Sequence, residues 1–409
     1  MQALNIASRT KLAVGIMYID LDHFKHVNDQ SGHTIGDKLL TEAADRISKC
    51  VRSSDTTARI GGDEFMIMVT ELKDLYSLEN ACQKILKSLE KPFSIENNLY
   101  FISASIGITL YPEDSQSSET LLIYADQAMY EAKKLGRNRY QFFTQSMQEI
   151  SSKKLSIAND LRSAIINEQF IVYYQPILNL IDSTITKAEA LIRWNHPTKG
   201  LMSPLEFIPI AEETGLIDTL GQWVLHQALK DLTIIRTFLN SDFQISINVS
   251  PYQLHHPDNL LNWVKSLTTE GISGNCFSLE ITEELLLEAS TTVLDTLSTV
   301  RDAGIELAID DFGTGYPALA YLKKFDANYV KLDKSFIQNL ANDNYDSVLC
   351  EAIIQMAHKL NIKIIAEGIE TVNQKDLLKQ FACHYGQGYL FAKPGTLDQL
   401  LIHLDTHGR

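Results

Sequence analysis

IELAIDD, residues 305–311, is a short hydrophobic run that finishes on two adjacent carboxylates. It belongs to a series. KAEALIRW (187–194), FQISINVS (243–250) and FSLEIT (277–282) precede it, and YVKLD (329–333), KIIAEG (363–368) and HYGQGYLF (384–391) follow. Helical segments such as SVLCEAIIQMAHKL (347–360) lie between most of them. Six or more strand–helix units over about 250 residues predict a TIM-like (β/α)8 barrel.

Each of these runs ends on, or carries within it, a ligand-type side chain: Glu189, Asn248, Glu280, Asp310 with Asp311, Lys331, Glu367 and Gln387. In such a barrel the C-terminal strand ends converge on one face, where active sites are built. A single Asp or Asn after a strand is ordinarily the N-cap of the next helix. The set is different, because Glu280 and Glu367 belong to it and Glu is a poor N-cap. Like charges about 4 Å apart cost about 4 kcal/mol even at an effective dielectric of 20. A folded chain tolerates such a cluster only with cations between the carboxylates, or with some of them protonated. Oxygen ligands with an amide, and no Cys or His, point to Mg²⁺ or Mn²⁺ rather than zinc. Two ions sharing an Asp-Asp pair suit a two-metal displacement at phosphorus. The residues alone therefore predict a metal-dependent phosphoesterase.

The 409 residues predict two or three domains at a typical roughly 150 each. A hydrophobic fraction of 45% and a charged fraction of 21% are globular values and exclude a disordered chain. The formal charge, 36 minus 51 or −15, argues against a nucleic-acid partner, whose phosphates need clustered Lys and Arg. It leaves room for a small anionic ligand held by a metal and a few local cations. Cysteines stand at 50, 82, 276, 350 and 383 with no CxxC pair, which fits neither a disulfide framework nor a thiolate zinc site. Reduced thiols are expected. No apolar run approaches the roughly 18–20 residues that cross a bilayer, and the start MQALNIASRTK lacks a signal peptide's apolar stretch. The expectation is a cytoplasmic chain with no membrane segment.

The chain changes character near residue 150. Before it, VGIMYIDL (14–21) reads as a buried strand, GDKLLTEAADRISKCV (36–51) as an amphipathic helix, and ARI-GG-DEFMIMV (58–69) as a hairpin. Helices around 78–90 and 118–134 flank a strand at 100–110, which predicts α/β with a mainly antiparallel sheet. The polar stretch Gln145–Asn159 reads as a linker running into the helix LSIANDLRSAII. The carboxylates of interest in this part are Asp20, at a strand end, and Asp63 and Glu64, after a Gly-Gly turn that lets backbone approach a ligand closely. Lys133 and Arg137, four apart at a helix end, either grip phosphates or satisfy the helix dipole.

FIVYYQPI, EALIRW, INVS, LEITEE, IDDFGTGY, VKLDKSFI, AEGIE and QGYLF, in that order over roughly 155–405, resemble the EAL phosphodiesterase domain. That family hydrolyses the bacterial second messenger cyclic di-GMP to linear pGpG. The resemblance implies metal ligands at Glu189, Asn248, Glu280, Asp310 and Asp311, with Glu367 at the metal and water centre as ligand or base. It implies that Lys331 holds the nucleophilic water or the phosphate, that Glu283 braces the loop after Asp311, and that Gln387 completes the site. Gln175, Arg193 and, more weakly, Asp333 become substrate contacts, Arg being suited to clamp phosphate. The family places small polar residues where this chain has Pro317 and Ala318, an altered loop that bears on regulation rather than chemistry.

IDLDHFKHVND, GHTIGD, RIGGDEF, SIGITLYP and ADQAMYEAKKLGRNRY, over about 13–143, resemble the GGDEF diguanylate cyclase domain, which joins two GTP molecules into cyclic di-GMP. By position, Asp20 and Asp63 with the backbone of Leu21 would bind Mg²⁺, and Glu64 would assist catalysis. Asn28 and Asp37 would recognise guanine, and Lys133 and Arg137 would hold the triphosphate. Arg52 and Asp55 have the RxxD form of the family's inhibitory product site. The chain opens at MQALNIASRTKLAVGI, without the family's LTGLxNR segment, a loss expected to bear on cyclase activity more than on GTP binding. The implied organisation is a GGDEF domain over 1–145, a linker and helix over 146–159 and an EAL domain over 160–409. The leading expectation is a cyclic di-GMP phosphodiesterase modulated by GTP and working as a homodimer. A bifunctional enzyme or cyclase, and a non-catalytic receptor for cyclic di-GMP or GTP, are the alternatives.

Overall fold

A computed structural model describes residues 4, 7, 8, 12–72, 74–239, 242–283, 285, 290–313, 325–340 and 344–407. Pro317 and Ala318 lie outside them, as does most of the opening stretch 1–11. The chain divides into two compact units, Met1–Leu155 and Ser156–Arg409. Among the described residues no helix is long and apolar enough to cross a membrane, and all five cysteines are free thiols.

The first unit contains β1 (Ala13–Leu21), β2 (Thr56–Gly61), β3 (Glu64–Leu72), β4 (Phe93–Ile95), β5 (Asn98–Tyr100), β6 (Ala104–Tyr111) and β7 (Arg139–Phe142). Its sheet has the order β2-β3-β1-β6-β7. Every pairing is antiparallel except β6–β7. The inner strand β6 is buried along its whole length, in keeping with its near-continuous apolar sequence ASIGITLY. Gly107 lets the helix Ser118–Lys134 lie directly on β6: a Cβ there would fall 1.9 Å from the carbonyl oxygen of Ala125. The small hairpin β4–β5 escapes the sequence reading. Its turn residues Glu96 and Asn97 both have positive φ, the geometry of a tight hairpin turn.

The helix before the second unit's first strand runs from Gln145 to Ile166, so the stretch read as a linker is helical throughout. Only its last third carries a buried stripe, Ile157, Leu161 and Ala164 at helical spacing. The strands that follow are β8 (Phe170–Asn179), β9 (Ile185–His196), β10 (Gly200–Met202), β11 (Gln244–Asn248), β12 (Phe277–Thr282), β13 (Glu306–Phe312), β14 (Tyr329–Leu332), β15 (Lys363–Ala366) and β16 (Tyr385–Gly386). All but β10 close into an eight-stranded barrel in the order β8-β9-β11-β12-β13-β14-β15-β16, with β16 returning to β8. Seven strands are parallel. β8 runs against both neighbours, because the turn Leu180–Thr184 that leads to β9 is far too short for a crossover helix. HYGQGYLF yields only the two-residue β16, since Gly388 and the following turn pack onto the backbone of Ile369 instead of extending the sheet.

The barrel interior is layered. At the N-terminal ends of the parallel strands, the buried ammonium of Lys187 donates to Gln244 and to the Tyr329 hydroxyl at 2.6 Å. That hydroxyl donates in turn to Glu306 at 2.7 Å. Burial pulls the Lys187 ammonium down to about 8. Ile177, Ala308 and Ile365 form an apolar middle with Tyr329, alongside the Ser246–Ser278 hydroxyl pair at 2.6 Å. The opposite end carries the carboxylates.

The close approach at Gly107 sets a stability test. Gly107→Ala is expected to destabilise the first unit by about 1–3 kcal/mol through overpacking, with its denaturant midpoint lowered and the barrel's transition unmoved. An unchanged first-unit midpoint would refute the packing described.

Candidate functional site

Lys331 stands at the centre of the barrel's charged end. Its side chain is 1% exposed. Its Nζ lies 2.7 Å from Glu280 Oε2, 2.6 Å from Glu367 Oε1, 3.2 Å from Asp310 Oδ1 and 3.5 Å from Glu189 Oε2. Three strands, and the residue just past the end of β15, thus deliver carboxylates to one ammonium on another strand.

Asp310 and Asp311 are neighbours in a strand, where successive side chains ordinarily face opposite ways. Between Ile309 and Phe312 the β13–β14 register slips, so that the two aspartates oppose the single residue Lys331. Asp311 there takes a φ of 52°, a left-handed conformation unusual for a residue with a Cβ. This bulge turns an alternating pair into a convergent one. Carboxylate oxygens of Asp310, Asp311 and Glu367 come within 4.8 Å of one another, a group able to hold a metal ion.

Amides orient the carboxylates. Asn248 Nδ2 donates to Glu189 Oε1 at 2.8 Å, and Gln387 Nε2 donates to Glu189 Oε2 at 2.7 Å and to Gln175 Oε1 at 2.9 Å. Gln175 Nε2 donates to the Ala392 carbonyl at 3.1 Å, so both ends of this side chain are engaged within the protein. Glu283 Oε2 accepts from the Gly313 amide at 2.8 Å, beside the start of the undescribed stretch 314–324. Asp333 caps the helix Lys334–Gln338 through a bond from the Ser335 amide at 2.9 Å. Arg193 donates to the Ile192 carbonyl at 2.8 Å, with its guanidinium 5.6 Å from the Tyr173 ring centre.

The electrostatics follow from burial. Burial raises the Glu280 carboxyl well above the usual range, and the charge on Glu189 adds to it. Burial also pushes Glu367 up to about 7, reinforced by Asp310 and Glu189 against the pull of Lys331. Asp311 rises through burial and the adjacent Asp310. Burial acts to lower Lys331, but Glu189, Glu280, Glu367 and Asp310 outweigh it and hold the ammonium well above its ordinary value. Glu189 alone ends below the usual range: burial opposes its charge, while Lys331 and the two amide donors favour it.

Five carboxylates against one ammonium leave a formal excess of four negative charges, which two divalent cations would cancel. Glu280 Oε1 and Gln387 Oε1 are buried with no hydrogen-bond partner among the described residues. Buried acceptors without donors are costly and ask for a cation or an ordered water. The donor set of carboxylates and amides, with neither His nor thiolate, suits a hard cation.

Beside Glu189 and Asn248 opens a cleft of about 430 Å³ walled by Leu191, Ile192, Pro204 and Ile208. Among the described residues its one other carboxylate is Glu212, whose Oε1 accepts from Ser250 Oγ at 2.6 Å. The sequence reading singled out neither the cleft nor Glu212. The available signal was SPLEFIPIAEE (203–213), an apolar run with a proline at the helix start, another inside it and acids at the end.

In the first unit, Asp20 and Glu64 sit opposite each other on β1 and β3. Asp20 pairs with Lys133 at 2.8 Å, and Tyr18 donates to Glu64 at 2.9 Å. Burial raises Asp20, and Asp63 adds to that against Lys133. The Leu21 amide donates to the Asp63 carbonyl at 3.3 Å, which holds the Gly-Gly turn against the end of β1. Asn28 lies on Gly36, where a Cβ would meet its Oδ1 at 2.0 Å, and Asp37 is the next residue, exposed. Arg137 is exposed on a left-handed turn. What pins that turn is Asp22, which escaped the sequence reading: it accepts from Ser103 and Ser105 hydroxyls at 2.6 and 2.8 Å and from the Asn138 amide at 3.2 Å. Arg52 and Asp55 close a turn on each other, the Arg52 amide donating to Asp55 Oδ2 at 2.9 Å. They line a cavity of about 340 Å³.

Known proteins resemble this chain in sequence and fold. The EAL domain family model matches residues 158–394, and the model of the diguanylate cyclase GGDEF domain matches 1–139. The bifunctional diguanylate cyclase/cyclic di-GMP phosphodiesterase MucR of Pseudomonas aeruginosa is 39% identical over 403 residues, 98% of this chain and 58% of that protein. The cyclic di-GMP phosphodiesterase NbdA of the same organism is 36% identical over 387 residues, 95% of this chain and 49% of that protein. The cyclic di-GMP phosphodiesterase PdeR of Escherichia coli is 35% identical over 393 residues, 96% of this chain and 58% of that protein. The chain thus spans about half the length of the curated relatives it matches. A solved structure described as PaMucR phosphodiesterase in complex with c-di-GMP superposes with a TM-score of 0.57 at 35% identity, covering 60% of this chain and 99% of that one. An EAL domain protein from Listeria monocytogenes gives 0.54 at 26% identity, covering 61% and 98%.

Lys331→Met is expected to destabilise the barrel by about 3–5 kcal/mol in chelator, because buried carboxylates lose their counter-ion. Mn²⁺ should then raise the variant's melting temperature more than the parent's. Calorimetry with and without chelator reads both, and an unchanged melting temperature in chelator would remove Lys331 from its assigned place.

Proposed function

The chain belongs to the EAL domain family, with a GGDEF domain ahead of it, and from that membership we propose that it hydrolyses cyclic di-GMP to linear pGpG. The observation that carries the proposal is the convergence of Glu189, Glu280, Asp310 and Glu367 on Lys331, with Asp311 turned into the same site. We assign Glu189, Asn248, Glu280, Asp310 and Asp311 to hold two divalent cations, Mg²⁺ or Mn²⁺. When bound, these supply Lewis acidity, readying a water for attack and neutralising charge on the phosphate.

The protein's own groups do the rest. Glu367, raised to about 7, is matched to take the proton that water gives up as its oxygen bonds to phosphorus. The bond from phosphorus to the ribose 3′ oxygen then breaks, and that oxygen is protonated by Glu367 or by solvent that Glu367 has recharged, so the net change is the addition of one water. Lys331 supplies fixed positive charge where negative charge gathers. Gln387 and Asn248 hold Glu189 in orientation, and Arg193 is assigned as a substrate contact, its guanidinium suited to a phosphate.

For the first unit the proposal is GTP with Mg²⁺, held by Asp20, Leu21, Asp63, Asn28, Asp37, Lys133 and Arg137, with Glu64 beside them and Arg52 and Asp55 as a product site. Its occupancy modulates hydrolysis. A bifunctional enzyme is the second reading, favoured by the 39% identity to a relative so named. Free thiols suit a reducing compartment, and the proposal places the reaction in the cytoplasm by a homodimer, for which sedimentation as a monomer at micromolar concentration would be contrary.

Chromatography after incubating the full chain with cyclic di-GMP and Mg²⁺ or Mn²⁺, with and without GTP, tests the reading. The expected result is pGpG, lost with chelator and faster to form with GTP. Glu189→Ala should lower turnover by at least about 100-fold, in keeping with the loss of one transition-state contact. Asp63→Ala should leave hydrolysis standing and remove the GTP effect. Cyclic di-GMP accumulating from GTP alone would make the bifunctional reading the better one, and no pGpG under either metal would overturn the proposal.

A further inference from the structure

Asp310, Asp311 and Glu367, the carboxylates close enough to share a metal ion, come from two separate strands, the first two from β13 and the third from just past β15. β14 lies between those strands, and the chain leaving it turns at once into the five-residue helix Lys334–Gln338. That helix meets both neighbours at glycines. Gly313, two residues after Asp311, has a φ of 95°, and a Cβ there would lie 2.7 Å from Cζ of the Phe336 ring. Gly368, directly after Glu367, has a φ of 70°, and a Cβ there would lie 2.6 Å from Cβ of Lys334. Glycine alone combines that backbone with so close an approach. The main chain beside each carboxylate group therefore rests directly on the helix.

Other contacts hold the helix in place. The Phe336 ring packs on the barrel core, and Glu283 accepts from the Gly313 amide at 2.8 Å. Gln374 is buried in the helix Val372–Gln380. Its Nε2 donates to the Ile337 carbonyl at 2.9 Å and to that of Gln338 at 3.4 Å. Its Oε1 accepts from the Glu370 and Thr371 amides, each at 2.9 Å. One side chain thus ties the end of the short helix to the loop that follows Glu367.

We propose that the helix Lys334–Gln338 is the spacer of the metal centre: wedged between Gly313 and Gly368, it sets how far the Asp310–Asp311 pair stands from Glu367, which makes Phe336 and Gln374 positioning residues. The inference rests on the reading of this cluster as the metal site of a phosphodiesterase, and it adds the residues that fix the width of that site. Asp311, held at a φ of 52° on a slipped register, needs such support, since a conformation of that kind persists only where its surroundings over-determine it. Neighbouring carboxylates also repel, and strand ends free to part would let them do so. Mg²⁺ demands near-ideal octahedral geometry, so the spacing of its ligands decides how well it is held.

The test titrates Mn²⁺ calorimetrically into the full chain without nucleotide, with Asp63→Ala throughout to take away a metal ligand of the first unit. Phe336→Leu and Gln374→Ala are compared with that reference. Each should bind Mn²⁺ about 10- to 100-fold more weakly, the range for residues that orient metal ligands from behind. In pGpG formation the half-saturating Mn²⁺ should rise by a similar factor, while kcat at saturating metal recovers most of the reference value. The calorimetric transition in chelator shows that a variant is folded, and either folded variant suffices for the comparison. Folded variants that bind Mn²⁺ as tightly as the reference, whatever their melting temperature, would reduce the helix to packing and overturn the inference. A reference that binds Mn²⁺ yet forms no pGpG, with both variants weakened, would overturn the hydrolytic reading and leave the spacer assignment standing. A reference that binds no Mn²⁺ would overturn both.

Discussion

The constraint on which the second unit depends is charge balance around a buried ammonium. A single ammonium, Lys331, lies within 3.5 Å of four carboxylates, three on other strands and Glu367 just past the end of β15. Such a cluster is not a stabilising device. Desolvating several ions costs several kcal/mol each, and an apolar core of the same volume would be at least as stable. The rest of the barrel supplies what the cluster spends: an apolar middle layer and an outer ring of helices packed on parallel strands. The imbalance left over, with acceptors on Glu280 and Gln387 that have no partner among the described residues, is what makes the end of the barrel receptive to cations and to an anion they can hold. Stability has been exchanged for a local field that acts only on a charged ligand.

The two ends of the barrel show how placement decides what a charge can do. Lys187 and Lys331 are both buried lysines on barrel strands, and burial alone lowers both. Lys187 meets a neutral hydroxyl and amide with one carboxylate 3.8 Å away, and it falls to about 8. Lys331 meets four carboxylates and rises. The first arrangement satisfies a polar plug and needs nothing further. The second retains unmet electrostatic demand.

The strand series and its acid-bearing ends were legible because buried parallel strands must be nearly continuous hydrophobic runs, so any charged residue in them stands out. That reasoning located Glu189, Glu280, Lys331 and Glu367 from single residues. It could not see that Asp311 leaves the strand's alternation, since a bulge is a register event between β13 and β14 and has no signature in IDDF alone. Nor could it see that β8 is antiparallel until the short turn Leu180–Thr184 is weighed against the length a crossover needs. Gln175, which the motif resemblance makes a substrate contact, has its amide hydrogen-bonded in the fold to Gln387 and to the Ala392 carbonyl, contacts its motif alone does not show. Asp22 and Glu212 went unnoticed for a common reason: each acts by holding or facing something distant in the chain, and spacing along a sequence carries no trace of that.

The reversal of β8 has a further consequence for the site. Were β8 parallel, its first residues would lie at the barrel's N-terminal end, beside Lys187. Antiparallel, Phe170 pairs with Trp194, so the chain enters at the end that carries the carboxylates. Gln175 comes directly opposite Glu189, within reach of the amide of Gln387 that holds it. The helical residues that lead in are fixed at the same end, where Asp160 bonds His196 and Lys199, each at 3.2 Å. From His196 the chain passes through β10 straight into the helix Pro204–Glu213, which walls the cleft beside Glu189. A displacement of the entering helix would therefore reach the cleft through the Asp160 clamp and a short hairpin, without crossing the packed interior. In an all-parallel barrel the same displacement would arrive at the opposite end and would have to be carried through the apolar layer, which close packing resists. The direction of one strand decides at which end of the barrel its own lead-in helical residues are fixed.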